Sequence, residues 1–420
     1  MPRAAASGEG AFTDGPKEGA YRVVLRNRQY LVFLASSNAS TVGYSVYTIS
    51  IVWLTVTLFH NFLDVGAVLF VEYACYTATF LVGPFVDRVK NQRTIFLLSY
   101  PVQALAVAVI GVGYHDRFLT IELLLALVAG VSLLWDMSWA AQNAAPGVLL
   151  SADEQFAASG LSGAIGGAVT IVGYGVGGVL LLVVGAEGGM YLYAGLLLAA
   201  AALALPLHIA PPATTPSTFF ESFRDGWKLV FGGIGRPLLQ LAAVDAIEGF
   251  FVSATAILIA LVATVEYADS TLGYALLFTA SVVGGVVAGL ALGSWNPRDR
   301  VGLVLGASLV VAGGAYLVAV TLPPVLVLAA VAWFVVGVTT TAYSSAKFVF
   351  FRGSVAPEQI GRLFSNMYLF PGISGSIGAL VISDVALGGN PTTLGTVVGI
   401  GFLLAGALAF ALPGVRRMRY

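Results

Sequence analysis

The sequence predicts an all-α integral membrane protein with twelve transmembrane helices in two related six-helix halves. Three observations carry that reading. Of 420 residues, 58% are hydrophobic and only 10% are charged, against about 25% charged in a soluble domain. A soluble chain this apolar could not cover its surface with polar groups. The apolar residues fall in twelve runs, each long enough for a hydrocarbon core of about 30 Å at about 1.5 Å per residue. The cations then sort to one side of those runs. With both termini cytoplasmic, nineteen of the 20 Lys and Arg residues lie in inner segments and only Arg117 lies outside, as the positive-inside rule requires.

In chain order, residues 1–28 read as a cytoplasmic tail. They are small and polar, carry Glu9, Asp14 and Glu18, and have no cationic start leading into a short apolar core, so they are not a signal peptide. An N-terminal bundle, 29–209, follows. Its helices are predicted at 29–58, 65–86, 94–112, 118–144, 154–184 and from Gly188 to about 208. Residues 210–235 form a polar cytoplasmic linker. In it Phe219, Phe220, Phe223 and Trp227 recur at helical spacing, as in an amphipathic helix lying on the inner membrane surface. The C-terminal bundle, 236–413, places helices at 236–264, 272–292, 301–320, 324–351, 358–385 and 393–412, and 414–420 is a basic cytoplasmic tail.

The tightest cation cluster between two spanning runs is Arg88, Lys90 and Arg93. With Gly83 and Asp87 it forms Gly-x-x-x-Asp-Arg plus a further cation. This resembles the loop between helices 2 and 3 of the major facilitator superfamily, with Lys90 where that family has a second glycine. The resemblance implies that Gly83, Asp87, Arg88 and Arg93 act in a cytoplasmic gate; a plain positive-inside loop would carry the same charges. The halves also resemble each other. Ala152-Asp153-Glu154-Gln155 before helix 5 matches Ala356-Pro357-Glu358-Gln359 before helix 11, and Ser162-Gly163-Ala164-Ile165-Gly166 matches Ser374-Gly375-Ser376-Ile377-Gly378. Two six-helix bundles around a midplane site are what the superfamily resemblance implies. The second half lacks the Asp-Arg of the first, since Gly293 stands where Asp87 would map.

Asn27, Gly43, Trp53-Leu54 and Ala144-Ala145-Pro146-Gly147-Val148 look like the branch of macrolide efflux proteins and enterobactin exporters. Where that branch often has Gly-Asp in helix 1, this chain has Gly43-Tyr44. In helix 5, Gly160, Gly173, Gly177 and Gly178 match the glycine pattern of drug/proton antiporters, while Val169 and Tyr174 replace a glycine and the proline. Small residues also let helices approach closely in lipid without any transport role. Both readings stand.

A carboxylate at membrane depth is costly and marks a functional site by default. Asp245 and Glu248 lie nine and twelve residues into helix 7, roughly 14 and 18 Å deep, and their i, i+3 spacing puts them on one face. No cation on that helix is near enough to pair with them. Two such carboxylates resist ionising together, so one is expected to hold a proton near neutral pH. They are candidates for proton coupling or for binding a cationic substrate, with a water-facing vestibule as the bland reading. Glu72 in helix 2, beside Tyr73 and Tyr76, and Asp136 in helix 4, between Trp135 and Trp139, are equally readable as cavity groups or as structural pairs. Asp384 lies near enough to a helix end to be solvated. Lys347 is expected to snorkel to the interface, with a bridge to Asp136 as the alternative. Asn38, Tyr44, Tyr47, Tyr343, Asn366 and Tyr368 are candidate cavity-lining residues, although aromatics also form interfacial belts.

Other classes fare worse. A net charge of -1 gives no reason to expect nucleic acid, and the lone Cys75 precludes an internal disulfide. His60, His115 and His208 form no cluster, so no metal site is expected. No G-x-x-x-x-G-K-[ST] loop, H-E-x-x-H or G-x-S-x-G is present, so neither a nucleotide-driven engine, an intramembrane enzyme nor a cofactor is expected. The expectation is a secondary transporter in the cell membrane, acting as a monomer and exporting an amphipathic small molecule against protons. An importer of sugars, organic acids or metal chelates is the first alternative. A non-transporting receptor or lipid scrambler is the alternative of another class.

Overall fold

The computed structural model describes residues 25–86, 91–150, 152–209, 235–267, 270–294, 300–321, 325–355 and 366–419, with isolated positions between them. The first helices are α1 (Arg28–Phe59), α2 (Phe62–Val86), α3 (Gln92–His115) and α4 (Ile121–Ala144). Polar side chains start several of the helices by accepting an otherwise unpaired amide. Asn27 accepts from Tyr30 N, Asn91 from Arg93 N and Thr120 from Leu123 N. His60, with φ 53°, ends α1 in the left-handed conformation.

After a short turn at Pro146–Leu149, one helical stretch runs over Ala152–Ala204 and breaks only at Gly185, where φ is 70° and ψ is -179°. Its arms are α5 (152–184) and α6 (186–204). That backbone conformation is open almost solely to glycine, so the fifth span reverses into the sixth on a single residue. Gly185→Ala is expected to cost about 1–3 kcal/mol, read as a lowered unfolding temperature of the purified protein. The next span, α7, consists of Gly235–Val252 and Ala254–Val265 joined at Ser253. At the junction the Ser253 hydroxyl donates to Phe250 O at 2.8 Å. Then come α8 (Thr271–Ser294), α9 (Val301–Thr321), α10 (Leu326–Ser354), α11 (Leu369–Ala386) and α12 (Pro391–Ala411), the last capped by Asn390.

Among the described residues the helices correspond to the twelve expected spans with ends shifted by a few residues, except that α11 is described only from Leu369, against an expected start at 358. Among the described residues, 10 helical stretches are long and apolar enough to cross a membrane. Asp87, Arg88, Lys90, the expected helix 11 start at 358 and the Phe219, Phe220 and Phe223 stretch lie outside the described residues. Gly83 falls in the last turn of α2 and Arg93 in the first turn of α3.

One end of the bundle bears the start of α1 and the end of α12 and is the terminal face. The other, bearing the turns at His60 and Arg117, is the turn face. Within the halves, α1 packs along α5 and α6, α8 along α10 and α9 along α12. Across the halves, α2 packs on α11 and α5 on α8, and the 254–265 arm of α7 meets α1 and α2. On the turn face the two halves touch at two places. Trp53 of α1 stacks on Tyr274 of α8 with centroids 4.8 Å apart, and the Tyr274 hydroxyl donates to Ile49 O at 3.2 Å. Gly66 of α2 lies so close to Ser383 and Ala379 of α11 that no Cβ fits between them.

The C-terminal segment does not trail away from the bundle. A turn at Pro413–Arg416 folds it back, Gly414 N donates to Gln240 Oε1 at 2.7 Å, and Gly302 N donates to Met418 O at 3.3 Å.

Candidate functional site

The site grows from the face of α7 that carries Asp245 and Glu248, which are 1% and 8% exposed. Facing them is α10, whose i, i+4 pair Tyr343 and Lys347 points the same way. Lys347 Nζ donates to Asp245 Oδ1 at 2.9 Å, and the Tyr343 hydroxyl donates to the same oxygen at 2.5 Å. Asp245 Oδ2 is buried and has no hydrogen-bond partner among the described residues. The ammonium also lies 5.2 Å from the Tyr343 ring centroid and 5.9 Å from that of Tyr368, within reach of cation–π attraction. This corrects two expectations. Lys347 does not snorkel, being 8% exposed, and its partner is Asp245 rather than Asp136. The counter-charge of Asp245 therefore comes from another helix, α10. Glu248 is the carboxylate of the two that has no ion-pair partner within bonding distance among the described residues.

A second cluster forms in the other half. Tyr44 of α1 stacks flat on Trp135 of α4, with centroids 3.8 Å apart and planes 8° apart. Tyr47, one turn on, packs on Tyr193 of α6 at 5.4 Å, and the Tyr193 hydroxyl donates to Gln103 Oε1 at 3.2 Å. The Tyr47 hydroxyl faces Glu72, whose Oε1 is buried with no hydrogen-bond partner of good geometry. Asp136, 6% exposed, sits beside Trp135 on α4. The two clusters meet where Tyr76 of α2 packs edge-on against Tyr368 at 5.6 Å, and where the Tyr73 ring fills the gap left by Gly375 of α11.

Of the expected lining residues, Tyr44, Tyr47, Tyr343 and Tyr368 are thus brought into one of the clusters. Asn366 is buried just ahead of α11, and Asn38 lies half-buried on α1 with no hydrogen bond among the described residues. The helix 5 glycines have a packing explanation. Side chains at Gly173 or Gly177 would press on Ser45 or Val46 of α1, and one at Gly178 on Thr279 of α8. Gly160 lies in the first part of α5. Sequence reasoning missed Lys347 as a site residue, and with it Tyr193 and Gln103. The available signal was depth: Lys347 is seven residues from the end of α10 at Ser354, about 10 Å in, which is far for a free ammonium. Among the described residues no group of three or more His, Cys, Asp or Glu side chains could hold a metal.

No protein-family model matches the sequence, and no curated protein matches it. Solved structures do. A mutant form of the nucleoside transporter NupG superposes with a TM-score of 0.74 at 14% identity, covering 92% of this chain and 100% of that one. The chain has the major facilitator fold. An auto-inhibited peptide transporter of the POT family gives 0.71 at 12% identity, covering 94% and 98%. A bacterial homolog of the human lysosomal transporter Spinster, inward-facing and unoccupied, gives 0.69 at 16% identity, covering 93% and 98%. At such identities the likeness to these major facilitator structures carries the fold alone. The two clusters described above lie on opposite sides of the interface between its halves.

Proposed function

We propose that the protein is a secondary transporter that works by alternating access. It exports an amphipathic cation against protons, and the Asp245–Lys347 pair with Glu248 is the proton-responsive element. The observation that carries this is the buried pair itself. Taking two charges out of water costs several kcal/mol per ion, and a buried pair is weak evidence of stabilisation. Its retention at membrane depth calls for a use. Lys347 has two carboxylates in front of it and contacts one. A proton on Asp245 frees the ammonium to turn to Glu248; loss of that proton draws it back. Because Asp245 and Glu248 sit on α7 and Lys347 on α10, the switch changes the attraction between two helices of the same half, beside the point where α11 touches α2.

The substrate side falls to the other cluster. Tyr44, Trp135, Tyr47 and Tyr193 offer flat aromatic surface, and Glu72 and Asp136 supply negative charge beside it. Aromatic faces and carboxylates together suit a flat lipophilic cation, each good cation–π contact contributing about 0.5–2 kcal/mol. The contacts between the halves on the turn face fit an end state closed on that side, the inward state if the terminal face lies in the cytoplasm. Trp135→Ala is expected to raise the KM for a lipophilic cation such as tetraphenylphosphonium about tenfold, with substrate-driven proton movement retained at saturation. Uptake kinetics in inverted vesicles measure it. An unchanged KM would remove the aromatic cluster from the substrate path.

A further inference from the structure

At the terminal face of the second half, away from both clusters, lies an open cavity of 670 Å³. It is built by three elements that end together: the first turn of α7 with Arg236 and Pro237, the last turns of α10 with Phe350, and the folded-back C-terminal segment with Pro413, Arg417 and Arg419. Three guanidinium groups and, among the described residues, no carboxylate line it. The three arginines are exposed, and none makes an ion pair or side-chain hydrogen bond with another described residue. The inner wall is apolar, since Phe350 and Met418 are 5% and 4% exposed. The arginines are held in place because Gly414 is tied to Gln240 and Met418 O accepts from Gly302 N.

We propose that this pocket binds a phosphate group, and that the phosphate is the headgroup of an anionic phospholipid. Arginine forks match phosphate oxygens in pairs. The pocket lies at the ends of the apolar spans α7, α10 and α12, where a spanning helix meets the lipid phosphates, and basic pockets between helices are suited to such headgroups. The apolar wall of Phe350, Pro237 and Pro413 then takes the glycerol and upper acyl chain, which free phosphate lacks. The bound lipid clamps the C-terminal segment onto α7 and α10. This inference does not depend on the transport reading.

The test uses the full chain purified in detergent and follows its unfolding temperature with three additions at matched concentration: phosphatidylglycerol, phosphatidylcholine and inorganic phosphate. Phosphatidylglycerol is expected to raise the temperature by several degrees through preferential binding to the folded state, and the other two to leave it nearly unchanged. The shift is lost in Arg236→Gln/Arg417→Gln/Arg419→Gln. It is largely lost in the milder Arg417→Gln/Arg419→Gln, and kept in Arg26→Gln/Arg28→Gln, which removes two charges elsewhere. Four results would overturn the proposal: no shift with phosphatidylglycerol, an equal shift with phosphatidylcholine, a shift that survives loss of the pocket arginines, or one lost equally in the Arg26/Arg28 variant. Equal protection by inorganic phosphate would overturn the lipid as its source.

Discussion

Asp245→Leu is expected to abolish transport and to destabilise the protein by about 3–5 kcal/mol, because it strands the Lys347 ammonium in a buried site. Lys347→Met should behave alike, stranding the carboxylate. The informative variant is the double one. In Asp245→Leu/Lys347→Met both charges go, apolar side chains of similar size fill the space, and stability should return to within about 1 kcal/mol of the native protein or exceed it. Transport should not return. Stability recovered without function separates a pair kept for its chemistry from one kept for the fold. Denaturation of the detergent-purified variants, set beside vesicle uptake, reads both quantities. Transport recovered in the double variant would make the pair structural and leave Glu248 as the acid to pursue.

Gly66→Val is expected to slow transport about tenfold or more with little loss of overall stability. The Cβ of any residue at 66 would overlap the Ser383 side chain and the Ala379 carbonyl of α11. Overpacking of this kind costs about 1–3 kcal/mol, but only in the state where α2 and α11 close on the turn face. Each 1.4 kcal/mol shifts a two-state population about tenfold, so the variant should spend far more time open on that side. A Thr279→Cys reporter, placed where α8 meets Gly178 of α5, in a Cys75→Ala background, should label faster with a membrane-impermeant maleimide in Gly66→Val than in its parent. Equal labelling would mean that the α2–α11 contact does not limit access at Thr279.

The parts of this fold that could be read from the sequence are those set by local physics. Apolar run length gave the spans, and the cations gave their alternation, because each is a property of one segment in contact with lipid or water. The reversal at Gly185 fell within the Val184–Gly188 break for the same reason: only glycine takes that backbone shape cheaply. The candidate acids were found because charge at depth is conspicuous on its own helix. The partner of Asp245 was not, since Lys347 is 102 positions away and a helical face predicts a direction, not a neighbour. Lysine's long stem made escape to the interface the simpler account, and only the ion pair it makes with Asp245 across to α7 excludes it. The docked C-terminal segment was missed likewise. Pro413 and Gly414 announce a turn, but nothing local says that Gln240 waits to receive it.

In the proposed cycle Asp245, Glu248 and Lys347 couple proton movement to substrate movement. The most direct measurement is proton release from inverted vesicles with an acidic lumen, on adding a panel of lipophilic cations, macrolides and siderophores. The native protein is run beside Asp245→Asn, Glu248→Gln and Asp245→Leu/Lys347→Met. Release with at least one lipophilic cation is expected in the native protein, and its loss in all three variants. Release that persists undiminished in the variants would contradict that coupling, as would substrate flux with no proton movement.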